Sequence, residues 1–147
     1  MTTPTEAEST SLGDALAAEH SAVFAYGVVA AFSNPTRAAQ VATAAAAHRA
    51  RRDELLDTLT AAGLTAPAAE AGYTLPFPVA DPITAAQLAA QVEADTAVAW
   101  RAVVEHGETA DTRTLGVTAL TDAAVREATW RVALGTDPVV DPFPGQP

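Results

Sequence analysis

An all-α fold, with four helices in two antiparallel hairpins joined by a long crossover, is predicted by three features of the sequence. Alanine fills 37 of 147 positions, and it has the best intrinsic helix propensity of any residue. Cap-forming residues, prolines and glycines divide the chain into four segments of helical length. Each segment also carries one polar residue with an apolar residue seven places before and seven places after it. Seven residues is about two helical turns, so each polar group shares a face with its apolar neighbours.

The first helix is expected to begin near Thr10 or Ser11, with Asp14 in its first turn, and to end near Phe32. Residues 1–9 then form a disordered acidic lead. Asn34-Pro35 reads as an N-cap followed by proline at the first helical position, and opens a second, longer helix that stops at Gly63. Asp81-Pro82 repeats the signal for a third helix ending at Gly107. The fourth starts between Thr109 and Asp111 and stops at Gly135, with Gly116 as an interruption inside it. The bundle thus spans residues 10–135, and residues 136–147 form a proline-rich tail.

Only a few residues join the first helix to the second and the third to the fourth, which dictates two antiparallel hairpins. Gly63 to Asp81 is a connection of 19 residues. Extended, it reaches about 60 Å, whereas a helix of 24 residues is only about 36 Å long. The connection can therefore run the length of the bundle, giving up-down-down-up order. Its Leu75-Pro76-Phe77-Pro78-Val79 and the tail's Pro142-Phe143-Pro144 are expected to lie extended in grooves of the bundle.

The formal net charge of -10 argues against a nucleic-acid surface or an anionic membrane, since both would repel it. The one basic cluster, Arg49, Arg51 and Arg52, runs directly into Asp53 and Glu54 and reads as a paired, solvated helix face. Absence of cysteine removes thiolate chemistry. The start MTTPTEAESTS has neither a basic beginning nor an apolar run, and Glu19 and His20 interrupt the apolar stretch Ala15–Phe32. The expectation is a cytoplasmic protein without a signal or a membrane span.

Function turns on the four polar residues of the apolar faces: Glu19 between Leu12 and Tyr26, His48 between Val41 and Leu55, Glu93 between Ala86 and Trp100, and Glu127 between Leu120 and Leu134. A buried carboxylate costs several kcal/mol unless a metal, a cation or hydrogen-bond donors compensate it. Three carboxylates and an imidazole drawn from four helices are what a metal site requires, and also what a decayed one leaves. Such crowded carboxylates would raise one another's pKa. Trp100 and Trp130 fit the core, where their indole N–H groups could answer the glutamates. His106, just before Gly107, fits a helix C-terminus, and His20 a helix surface.

The segments Glu19-His20-Ser21-Ala22-Val23-Phe24-Ala25-Tyr26-Gly27, Ala47-His48-Arg49-Ala50-Arg51-Arg52-Asp53 and Tyr73-Thr74-Leu75-Pro76-Phe77-Pro78-Val79, with Ala99-Trp100, resemble a bacterial ferritin-like domain family of unknown function. The wider ferritin-like superfamily holds two metal ions with a Glu from each of two helices and a Glu-x-x-His pair from each of the others. The resemblance implies that Glu19 and Glu93 stand for the single glutamates, His48 for one histidine and Glu127 for one paired glutamate. Ala45 replaces the glutamate partner of His48, and Trp130 replaces the histidine partner of Glu127. With two of six ligands missing, a di-iron oxidase or iron store is not expected.

Three readings of the four residues remain. In the first, arginine, tyrosine and tryptophan donors satisfy the carboxylates, with Arg51, Arg52, Arg101, Arg126 and Arg131 as candidates. A single iron, manganese or zinc ion could instead be held by His48 and the glutamates and support oxidase or oxygenase chemistry. A small ligand could also bind between the helices. The first is preferred: a ferritin-like binding or structural module with a degenerate metal centre and no cofactor, not an enzyme. A homodimer packed through helices one and two is expected from the alanines at 42 and 44–47, which lie on more faces than one bundle interior can use.

Overall fold

The computed structural model describes residues 3–147, and its helices are α1 (Glu6–Phe32), α2 (Ala38–Ala61), α3 (Pro82–His106) and α4 (Ala110–Leu134). A single 3-10 turn, Pro35–Arg37, precedes α2, and the described residues contain no strand. The fold is all-α with four helices, as the sequence predicts.

The punctuation works as expected at most ends. Asn34 Oδ1 accepts from the Thr36 N–H, and Asp81 and Thr84 form a reciprocal capping box at the start of α3. Thr109 caps α4 through the Thr112 N–H, and Gly135 closes it in the left-handed conformation, φ 66°. The start of α1 departs from expectation. The helix begins at Glu6, because Thr5 Oγ1 accepts from the Glu8 N–H and two acidic residues occupy the first turn. Residues 6–9 are therefore helical, not part of a disordered lead; Met1 and Thr2 lie outside the described residues. Glu8 is itself buried, and its Oε1 accepts from the backbone N–H of Glu108 at 3.3 Å, tying α1 to the α3–α4 connection.

Two apolar clusters fix the topology. One gathers Leu12 and Leu16 from the start of α1, Leu55 and Leu59 from the end of α2, Trp100 and Val103 from the end of α3, and Ala119 from α4. The other gathers Tyr26 and Val29, Val41 and Ala44, Ala86 to Ala89, and Trp130. Hence α1 and α4 run one way and α2 and α3 the other. The crossover starts against the first cluster at Leu64 and Ala66 and finishes against the second at Leu75, Phe77 and Val79. Between them His20 Nε2 donates to the Pro67 carbonyl at 3.2 Å, and Phe24 meets Tyr73 with ring centroids 5.4 Å apart. From Tyr73 to Ala80 alternate residues turn inward and outward, the two-residue period of an extended strap.

The tail also folds back. The Arg131 guanidinium holds the Asp141 carboxylate with two bonds of 3.1 Å, and Gly145 lies so near Ala97 that a Cβ there would sit 2.4 Å from its carbonyl oxygen. Phe143 nevertheless stays exposed, so only the crossover buries its proline-flanked aromatic as expected.

The helices do not pack evenly. α3–α4, α1–α3 and α1–α2 pack closely, whereas α2 and α4 keep their backbones apart and meet through side chains such as Arg51 and Asp122. Gly116 lets α4 press against α3, since a Cβ there would meet Val104 Cγ2 at 2.8 Å. The groove between α2 and α4 is therefore bridged by side chains and not closed by helix-to-helix packing.

Candidate functional site

Between the two apolar clusters lies a chain of polar side chains drawn from all four helices. Glu19 and Tyr26 come from α1, His48 from α2, Glu93 and Trp100 from α3, and Arg126 and Trp130 from α4. Glu19, His48 and Glu93 are at most 1% exposed. Their spacing on amphipathic helices explains the convergence, since each sits two turns from core residues of its own helix.

His48 is the hub. Its Nδ1–H donates to Glu19 Oε2 at 2.6 Å and its Nε2–H to Glu93 Oε1 at 2.8 Å. Glu19 Oε1 accepts the indole N–H of Trp100 at 2.8 Å. Glu93 Oε1 also accepts from the Tyr26 hydroxyl at 2.6 Å and from Arg126 Nε at 2.9 Å. Trp130 Nε1–H then donates to the Tyr26 oxygen at 3.1 Å. A single carboxylate oxygen takes three donors, while its companion, Glu93 Oε2, is buried with no partner.

The electrostatics follow from these bonds. Burial alone would depress the His48 pKa, but the two carboxylates that accept its ring protons outweigh it and push it up to about 9. The imidazole is therefore a cation at neutral pH. Burial alone would raise the Glu93 pKa, yet His48, then Arg126 and Tyr26, hold it below the ordinary carboxylate range. Tyr26 is pushed well above its usual value, first by burial and then by the neighbouring Glu93. Two carboxylates, one imidazolium and one guanidinium sum to zero charge. The expected mutual elevation of crowded carboxylates does not arise at Glu93, because a cation stands between it and Glu19.

Three of the four predicted residues converge in this way, and Glu127 does not. It is buried, 5% exposed, but faces the groove between α3 and α4, where it is paired with Arg131. Burial raises its pKa, Arg131 lowers it and Asp141 raises it, for a net rise. The buried face of α4 is Gly116, Ala119, Ala123, Glu127 and Trp130. Glu127 therefore lies on the buried face that its spacing predicts, but Arg131, one turn further on, holds its carboxylate in the α3–α4 groove, apart from the other three.

The contributions of Tyr26 and Arg126 are larger than sequence reasoning assigned. Arg126 stood among several candidate cations, and its place one residue before Glu127 gave no reason to prefer it. Tyr26 was counted as apolar, although a buried tyrosine hydroxyl needs a partner. Arg51, Arg52 and Arg101 pair instead with Glu54 and Asp122, Asp53, and Glu105 respectively. The Arg51 guanidinium also lies 6.0 Å from the Trp100 ring centroid.

Among the described residues, no group of three His, Asp or Glu side chains has the arrangement of a metal site. The geometry agrees, since His48 spends both ring nitrogens on carboxylates, at 2.6 and 2.8 Å. The residues present do not fit a di-metal centre.

Comparison with known proteins places the chain. Among curated proteins, none matches it. A solved structure, that of the conserved hypothetical protein rv2844 from Mycobacterium tuberculosis, is similar at 49% identity and a TM-score of 0.86, over 87% of this chain and 97% of that one. Residues 11–147 match a family described as a domain of unknown function, DUF4439. The chain belongs to that family.

Proposed function

We propose that this protein is a ferritin-like bundle in which a charge-balanced hydrogen-bond network stands in place of a metal centre, and that it serves as a cytoplasmic binding or structural module, not as a metal oxidase. The observation that carries the reading is His48 bonded through both ring nitrogens, at 2.6 and 2.8 Å, to Glu19 and Glu93. The imidazolium supplies the positive charge that a metal would otherwise bring, and Arg126 supplies the second. Tyr26, Trp100 and Trp130 complete the donor set.

A mononuclear iron, manganese or zinc oxidase is the second reading, favoured by one observation, the unpartnered Glu93 Oε2. A metal there would have to displace the His48 proton. Melting temperature with and without each ion, for wild type and Glu93→Gln, separates the two. The network reading expects no metal-dependent rise in either protein, and a lower melting temperature for Glu93→Gln. Stabilisation by a metal that vanishes in the variant would replace it with the mononuclear reading.

The reading includes a homodimer packed through α1 and α2. Their hairpin carries Gly27, Ala30, Ala31, Ala42 and Ala45 around a groove of about 570 Å³, and small residues allow close helix approach. A monomer by light scattering at tens of micromolar removes the dimer while leaving the network reading intact.

A further inference from the structure

The seam between α2 and α4 opens into a cleft of about 330 Å³, walled by Ala39, Ala44 and Trp130 and reached by Gln40 and Arg126. Two of its groups have donors to spare. Arg126 gives Nε to Glu93, and among the described residues neither of its terminal nitrogens has a hydrogen-bond acceptor. Gln40 Oε1 accepts from Arg37 Nη1 at 3.2 Å, which orients the amide. Its Nε2 is left buried with no partner. An unmade hydrogen bond on a buried polar group is costly, so this amide marks a place where an acceptor is missing. No carboxylate lines the cleft.

We infer that the α2–α4 cleft binds a small organic carboxylate, with Arg126 and the Gln40 amide as donors to its oxygens and Ala39, Ala44 and Trp130 around its apolar body. A guanidinium edge with two free N–H groups suits a planar two-oxygen acceptor better than a single-point one. The size agrees, because water occupies about 30 Å³ in the liquid. The cleft thus has the volume of about ten waters, enough for a ring bearing one carboxylate. The walls are apolar and the donors few, the usual balance of a small-molecule site. The inference does not depend on whether the interior network excludes a metal, since neither Arg126's terminal nitrogens nor Gln40 take part in it.

Amide NMR spectra of the isotope-labelled full chain, titrated with benzoate, benzylamine and inorganic phosphate, test the inference. Benzoate is expected to shift Ala39 to Ala44, Arg126, Thr129 and Trp130, including the indole N–H, and to saturate in the millimolar range. Benzylamine, with the same ring and the opposite charge, is expected to leave them unmoved. Arg126→Gln removes the cation but also strips a partner from Glu93. Gln40→Leu and Ala39→Leu therefore probe the cleft without touching Glu93, the first weakening benzoate several-fold and the second, by filling the space, abolishing binding. Saturation by phosphate and not benzoate, shifts scattered over Arg37, Arg101 and Arg113, or unchanged affinity in both variants would overturn the inference. No shift at tens of millimolar would do so as well.

Discussion

Trp130 donates its indole N–H to the hydroxyl of Tyr26 at 3.1 Å. The bond joins α4 to α1 across the core and leaves Tyr26 free to donate onward to Glu93. Trp130→Phe keeps a ring but deletes that donor and some volume. It is expected to cost about 1–3 kcal/mol, from the lost bond and incomplete packing. Urea unfolding of the variant measures this, and a midpoint equal to wild type would contradict the role given to the indole.

Glu93→Gln and Glu127→Gln should move stability in different directions. Glu93→Gln leaves His48 with Glu19 as its one carboxylate and takes the carboxylate from Arg126, a loss of up to about 3–5 kcal/mol when one partner of a buried pair is removed. Glu127 is crowded by Asp141 over a shared Arg131, and its pKa is raised, so its ionisation at neutral pH opposes folding. Gln at 127 is thus expected to hold or slightly raise the melting temperature. Equal losses in the two variants would show that the charges near Glu93 are not arranged as described.

The pH profile carries the signature of His48. Its pKa is about 9 in the folded chain and about 6.5 unfolded. The folded value is the higher, so the contribution is complete below about 6.5 and disappears as pH rises through about 9. At 1.36 kcal/mol per unit, the loss is on the order of 3 kcal/mol. Glu93, with its folded pKa depressed, acts on the other flank: its contribution holds above the ordinary glutamate range and falls on acidification. Stability should therefore peak in mildly acidic solution. Urea midpoints across pH, for wild type and His48→Gln, check the alkaline limb, which the variant should lack.

Gly116→Ala should destabilise the protein even though alanine is the better helix former by about 1 kcal/mol. The added methyl would lie 2.8 Å from Val104 Cγ2 and 3.2 Å from Val104 N. Valine is stiff at χ1 and the second contact is backbone, so α3 and α4 would have to separate. A net loss of about 1–2 kcal/mol is expected, and a gain in thermal stability would mean that the α3–α4 contact is looser than the structure shows.

Helix ends were legible where a side chain caps the backbone, as at Asn34, Asp81 and Thr109, or where a glycine takes the left-handed conformation, as at Gly135. The start of α1 was equally readable from Thr5-Glu6-Ala7-Glu8, which has the spacing of a capping box, but the polar composition of the lead obscured it. Glu19, His48 and Glu93 were found because large apolar residues frame them. On α4 the spacing placed Glu127 on the buried face, but the turn of its carboxylate toward Arg131 was not legible. Which arginine would reach Glu93 depends on a lateral approach of α4 to α3, and no spacing along one helix encodes that.

Alanine-rich helices meet as smooth surfaces, and one such surface can slide along another by a turn with little change in contact. The Trp100–Glu19–His48–Glu93–Tyr26–Trp130 chain acts like a key across these surfaces, since each of four helices must present its group at one height for any of the charges to be matched. A shifted helix would strand a buried ion, at several kcal/mol. Replacing Glu19, His48, Glu93 and Arg126 together with apolar residues of similar volume should thus keep the helix content, and even raise the melting temperature, while broadening the side-chain NMR signals. Sharp, single signals in that variant would show that the small apolar residues alone hold the helices in register.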